Sequence, residues 1–212
     1  MTKTATSQTS LRETRASHSR RRALEAALAL VDAQGVAAMT IEEVRKRSGV
    51  SIGSLYHHFR SREGLLAGLY QDLLARYRAV LSAELLRCDG ARALVEGFVR
   101  THIAWAAANQ AAARFLMEYR HDPAIVAASE AELQSSTAEF IRPILARLKP
   151  AMTAGEVRDL PAELLLSLVF GPVQAWLKLW LNGHSGLKPD AAAERLIELI
   201  WAALAAPTRN TP

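Results

Sequence analysis

From Thr40 to Phe59 the chain reads Thr-Ile-Glu-Glu-Val-Arg-Lys-Arg-Ser-Gly-Val-Ser-Ile-Gly-Ser-Leu-Tyr-His-His-Phe. Little in this run can attack a substrate, but much of it can grip a polyanion. The hydroxyls of Thr40, Ser51, Ser54 and Tyr56 and the imidazole of His57 suit phosphate oxygens or base edges, and Ile52 suits a thymine methyl. Reactive constellations are missing elsewhere. Gly49 to Gly53 lacks the spacing and the lysine of a phosphate loop, and no G-x-S-x-G, H-E-x-x-H or Cys-His-Asp grouping occurs. His57 and His58 are adjacent, so on a helix they diverge by about 100° and do not share a metal. Cys88 is the single cysteine. It allows no internal disulfide framework and no cysteine-based zinc site, and Asp89 beside it works against a reactive thiolate. The expectation is a binding protein rather than an enzyme, with no catalytic residue, metal or cofactor.

Recognition chemistry needs elements that present it. Thr40 is followed three residues later by Glu43, the pattern of a capping box opening a helix. Ser48-Gly49 ends that helix after about two turns, and Ser51 can cap a second short helix to about His58. Two short helices joined by a glycine-containing turn make a helix-turn-helix, whose second helix enters the DNA major groove. At about 100° per residue, Phe59 falls within about 40° of Leu55, and both face inward. Gly53 and His57 lie near the opposite pole, with Ser54 and Tyr56 on the flanks. Gly53 has no side chain, which lets the backbone approach a duplex closely.

Charge is distributed to match. Residues 1–62 hold eleven lysines and arginines against five acids, whereas the remainder holds fifteen against sixteen. A basic first third joined to a near-neutral remainder fits a nucleic-acid reader with a second domain. It fits equally a basic tail beside ordinary solvated helix faces. Arg20-Arg21-Arg22 stands just before the first apolar stripe. It could reach an adjacent minor groove or add only non-specific attraction to DNA.

The remaining chain reads as helices throughout, without alternating strands or a fixed-period repeat. Residues 1–17 read as a disordered basic arm. A helix follows from about Arg20, with Leu24, Ala27, Leu28 and Val31 on one stripe and Gly35 at its end. Ser61 opens a long helix to about Cys88. Others are expected over about 91–108, 110–120, 122–149, 161–182 and 189–205, giving an all-α fold of about nine helices. The domains are then 18–66 for the head, 67–206 for the second domain and 207–212 for a flexible tail. No run reaches the roughly 18 uninterrupted apolar residues of a membrane span. The nearest, Leu164 to Leu177, contains Ser167, Gly171, Pro172 and Gln174. With no apolar leader either, a cytoplasmic protein without a membrane partner is expected. The last two helices are apolar nearly all round, and so need cover on every face. That points to a homodimer pairing through 161–182 and 189–205. A hairpin buried within one subunit would satisfy the same pattern.

Arg20 to Leu66 resembles the DNA-binding domain of the TetR (tetracycline repressor) family of bacterial regulators. The resemblance rests on Thr40, Gly49-Val50-Ser51, Gly53-Ser54-Leu55-Tyr56, His58-Phe59 and Ser61-Arg62-Glu63. It implies phosphate contacts at Thr40, Ser51, Tyr56 and His57, base reading by the residues after Ser51, and a further phosphate anchor at Arg62. It also implies a dimer that binds a roughly palindromic operator in double-stranded DNA. In that family the C-terminal helices enclose a small-molecule pocket, and ligand binding there moves the fourth helix and spreads the two reading heads. One departure is Arg45, where the family usually has a small residue packed between the two helices. Pocket candidates are Phe98, His102, Trp105, Phe115, Met117, Tyr119, Phe140, Phe170, Gln174 and Trp176, mostly apolar with a few polar groups. His102 and Gln174 form the polar pair that a ligand could satisfy. The expected function is a repressor released by a hydrophobic or aromatic effector. The alternative is a helical interaction protein whose basic head binds RNA or another polyanion without sequence preference.

Overall fold

The computed structural model describes the backbone of residues 3–207 and the side chains of 16–123, 125–127 and 137–207. The described residues form nine α-helices and one 3₁₀ turn. The helices are α1 (Lys3–Gln34), α2 (Ile41–Ser48), α3 (Ile52–Phe59), α4 (Arg62–Leu85), α5 (Ala91–Ala108), α6 (Gln110–Glu118), α7 (Pro123–Thr153), α8 (Ala162–Leu181) and α9 (Pro189–Leu204). The 3₁₀ turn, Val36–Ala38, lies between α1 and α2. The all-α expectation holds, with one lone bridge between Val157 and Ala205 as the β pairing among the described residues.

One boundary differs from the sequence reading. The stretch expected to be a structureless arm is helical from Lys3 and continuous with the rest of α1. Residues 3–34 contain neither Gly nor Pro. A helix nucleated by the buried Leu24–Val31 stripe can therefore propagate backward at one hydrogen bond per residue. The expected flexible tail, from residue 208 on, lies outside the described residues.

The chain divides into two compact units, 1–73 with 115–130, and 74–114 with 131–212. The first therefore extends past the expected boundary at residue 66 and takes in a later segment. Its core gathers Leu24 and Ala27 from α1, Val44 from α2, Leu55 and Phe59 from α3 and Leu66 from α4. Phe115 is fully buried and its ring lies 6.3 Å from that of Tyr70.

In the second unit α5 packs on both α8 and α9. Phe98, Val99 and Ile103 of α5 are buried with Leu165, Val169, Val173 and Leu177 of α8 and Ile197, Ile200 and Leu204 of α9. Ion pairs from Arg92 to Glu198 and from Arg100 to Glu194 tie α5 to α9 at the surface. Exposed pairs of this kind contribute little beside the apolar core. Arg147 donates to the backbone carbonyls of Leu85 and Cys88 at the end of α4, the first of which also accepts the Cys88 N–H.

The outer face of α8 is bare. Leu165, Val169, Val173 and Leu177 form its buried stripe, whereas Leu164 and Leu179 are half exposed and Leu199 of α9 is 67% exposed. By length and composition α8 passes as a membrane span, with a mean hydropathy of 1.5 over its most apolar window, although a count of uninterrupted apolar residues excluded one. Only 22% of that window is buried within the chain.

Candidate nucleic-acid interface

Both predicted caps of the helix-turn-helix form. The Thr40 hydroxyl accepts the Glu43 backbone N–H at 3.1 Å, and the Ser51 hydroxyl accepts that of Ser54 at 3.3 Å. The capping box is only half made, because the Thr40 N–H goes to the Ala38 carbonyl and Glu43 pairs with Lys46 at 2.7 Å. Each capping hydroxyl still has its own proton to donate. Thr40 and Ser51 can therefore cap a helix and bond a phosphate at once. Between the helices Gly49 takes the left-handed conformation at φ 65°, and its N–H bonds the Arg45 carbonyl, which ends α2.

The outward face of α3 is the predicted one. Leu55 and Phe59 are buried, while Ser51, Ile52, Gly53, Tyr56 and His57 are exposed and Ser54 is half-buried. Tyr56, at 52% exposure, is a large aromatic that folding leaves in solvent. A Cβ added at Gly53 would meet nothing within 4 Å. The bare backbone there serves no internal packing, so it is open to close approach from outside. His57 and His58 diverge as their adjacency requires. His58 turns inward to Ser19 Oγ at 3.2 Å, and burial, with His57 and Arg20 nearby, holds its pKa below the usual imidazole value.

The cations arrange themselves less as expected. Arg20 lies over the Phe59 ring and 3.6 Å from Asp72. Arg22 donates to the Ser48 carbonyl, bracing the turn before α3. Arg21 reaches Glu25 at 3.8 Å. All three sit within the helical α1, and two of them are tied into the head, which leaves no free triple-arginine arm. Arg62 differs again. Its Nε donates to the Met39 carbonyl at 2.9 Å and its Nη2 to the Val36 carbonyl at 2.6 Å. Two of its donors thus pin the turn before α2 instead of facing outward as a phosphate anchor would. Arg45 causes no disturbance between the helices. It lies on the surface in a bidentate pair with Glu42, at 2.9 and 2.7 Å, which holds the Glu42 carboxyl below its usual range. Arg47 and Arg60 are the cations of residues 20–62 whose side chains have no hydrogen-bond or ion-pair partner among the described residues.

A half-exposed helix, two capping hydroxyls with protons to give and an open glycine backbone lie together on one outward face. Residues 23–69 match the family described as bacterial regulatory proteins, tetR family. The head of this chain is a TetR-family DNA-binding domain. A repressor of Rhodococcus jostii, KstR2, is 28% identical over 193 residues, covering 87% of this chain and 90% of that protein. A TetR-family regulator from Marinobacter aquaeolei superposes with a TM-score of 0.78 at 19% identity, covering 92% of this chain and all of that one. The Bacillus subtilis regulator FadR, solved in complex with stearoyl-CoA, does so with 0.70 at 18% identity over 86% of this chain and 97% of its own. The chain is a DNA-binding transcriptional regulator.

Of the ten candidate effector contacts, seven belong to the second unit and three to the first. Phe98, His102, Trp105 and Phe170 do cluster in the second unit, around a residue that the sequence reading missed. Tyr77 of α4 places its hydroxyl 3.1 Å from His102 Nδ1 and its ring 5.1 Å from that of Trp105. The Phe98 and Phe170 rings lie 4.4 Å apart, tilted by 56°, with His102 edge-on to Phe98 at 5.3 Å. Burial pushes the His102 pKa down to about 4 and the Tyr77 pKa up, so the pair is uncharged at neutral pH. His102 thus has a partner within its own chain, Tyr77, in the place where the sequence reading set a ligand. Trp176 stacks on Trp180, and its indole N–H is buried without a hydrogen-bond partner. Phe140 supports the Arg78 guanidinium at 5.6 Å. Phe115, Met117 and Tyr119 belong to the other unit. There Phe115 packs against Tyr70 and Tyr119 as core.

Proposed function

We propose that this regulator is a homodimeric repressor that binds an inverted-repeat operator through Thr40 and Ser51–His57, and leaves it when an apolar effector occupies the second unit. The observation carrying the DNA half is the outward face of α3, where Gly53 has open space and Tyr56 stands half exposed although neither is needed for packing. The dimer is supported by the uncovered face of α8 together with Leu199 of α9. Apolar side chains there gain stability only when another surface removes them from water. Helices that pair across a two-fold axis make such a cover. That symmetry predicts two related half-sites.

The effector reading rests on the aromatic cluster around Tyr77 and His102, which is uncharged and whose polar groups are the Tyr77 hydroxyl, the His102 imidazole and the Trp105 indole N–H. A site of this kind favours a hydrophobic body with a single polar handle over a sugar or nucleotide. FadR, which shares the fold, was solved with the long-chain thioester stearoyl-CoA, so acyl thioesters are the first class to try. Release requires the effector to favour the DNA-free conformation by about 1–3 kcal/mol, a 5- to 150-fold loss of operator affinity.

Selection of the purified chain against a random duplex library at two salt concentrations tests this reading. An enriched inverted repeat, released on adding stearoyl-CoA or another apolar ligand, is the expected result. Binding that is sequence-blind at both salts would replace it with the polyanion-binding alternative.

A further inference from the structure

We propose that Arg60 is a DNA phosphate contact, presented beyond the end of the reading helix by a strained turn to which the arginine side chain adds no support. The proposal rests on the DNA-binding function described above. Arg60 is the non-glycine residue with positive φ in the described backbone, at φ 63° and ψ −43°. The Ser61 N–H closes back on the Phe59 carbonyl at 2.7 Å, across two residues. This is a γ-turn of the rare positive-φ kind, which any residue with a Cβ adopts under strain. The turn is tightly held. A Cβ at Gly64 would come within 2.0 Å of that same Phe59 carbonyl oxygen, so α4 begins against the end of α3 with no slack. Glycine at position 60 would relieve the strain at once. An arginine there adds nothing visible to the fold, because its side chain is exposed and has no partner among the described residues.

Position and charge say what the side chain is for. The Arg60 N–H bonds the Tyr56 carbonyl at 3.0 Å, which places residue 60 one turn beyond Tyr56, the outward aromatic of α3. Meanwhile the cations that the sequence offered for phosphate binding are engaged elsewhere. Arg20 sits on Phe59 and Asp72, Arg22 on the Ser48 carbonyl, and Arg62 on the Met39 and Val36 carbonyls. A reading helix laid in a major groove is flanked by phosphates. Arg60 is the free guanidinium at its C-terminal end.

The test measures affinity against salt by fluorescence anisotropy for the whole chain and for Arg60→Ala, Arg60→Lys and Arg60→Gly. Each binds the duplex that the wild-type chain selects from a random library, and a mixed-sequence duplex. Losing one phosphate contact lowers the slope of log affinity against log salt by about 0.9 per protomer, and at about 0.1 M salt weakens binding roughly 8-fold per protomer. The Ala variant should lose this much on both duplexes, and the Lys variant should recover the slope. The Gly variant should bind as weakly as Ala while melting at a higher temperature than wild type. A wild-type slope in Arg60→Ala overturns the assignment and leaves the regulator reading standing. So does a loss that Lys fails to restore, which would mark a structural role. If the wild-type chain itself binds no duplex, the regulator reading falls and takes this one with it.

Discussion

Replacing His102 with Gln removes a titrating group from the centre of the second unit while keeping a hydrogen-bond acceptor for Tyr77. Burial holds the folded His102 at about 4 against an ordinary value of 6.5. A depressed histidine pKa means that the unfolded chain binds the proton first as pH falls. The stability is therefore complete above the ordinary value and is lost between there and the folded value. From neutrality to pH 5 the loss from this one residue comes to about 2 kcal/mol, and near pH 4 to about 3 kcal/mol. The same chain should thus unfold at markedly lower urea at pH 5 than at pH 7.5, with protein concentration held fixed because assembly affects the midpoint. His102→Gln should flatten that dependence by about 2 kcal/mol. His58, also held low by partial burial, contributes equally to both proteins and cancels in the comparison. Urea curves followed by far-ultraviolet circular dichroism give the two slopes. If they coincide to within a few tenths of a kcal/mol, the imidazole is not buried neutral, and the case for an uncharged effector site loses its main support.

Two further substitutions separate folding from recognition. Gly53→Ala meets open space, so the helix should gain about 0.5 kcal/mol or more in a thermal melt while operator affinity falls, because the added methyl stands where the duplex must approach. A variant that binds as well as wild type would move the interface off that point. Arg62→Met takes its donor from the Met39 carbonyl and one of two donors from the Val36 carbonyl, and should cost about 2 kcal/mol of stability. It should leave the salt slope of DNA binding unchanged, and a drop of about one contact would restore Arg62 as a phosphate anchor.

What the sequence shows and what it hides divide by distance along the chain. The caps at Thr40 and Ser51 act on backbone three residues away, so a short pattern contains them whole. The inward pairing of Leu55 with Phe59 likewise needs only helical geometry. Arg62, by contrast, is drawn inward by carbonyls 23 and 26 residues earlier, and no local signal separates it from an outward lysine or arginine. Arg22 is captured by a carbonyl 26 residues on. His102 was visible as a polar group needing a partner, but that partner, Tyr77, lies 25 residues back on another helix. The membership of Phe115 in the head's unit has the same origin, since only the folded chain brings it against Tyr70. The turn at Arg60 left no trace at all, because the residue type there argues against the conformation it adopts.

The internal pairing of so many head cations bears on how a regulator finds its target. Every duplex in a cell offers the same phosphates, and loose positive charge binds all of them, holding the protein on a great excess of irrelevant sites. Here the side chains of Arg20, Arg22, Arg45, Lys46 and Arg62 meet carbonyls, carboxylates and a ring of their own chain. Such a head gives up part of its indiscriminate pull. What affinity remains is weighted toward short-range groups, the hydroxyls, the aromatic and the bare backbone of α3, whose fit depends on which duplex is present. Occupancy of the operator then depends on that ratio of fit rather than on the amount of protein.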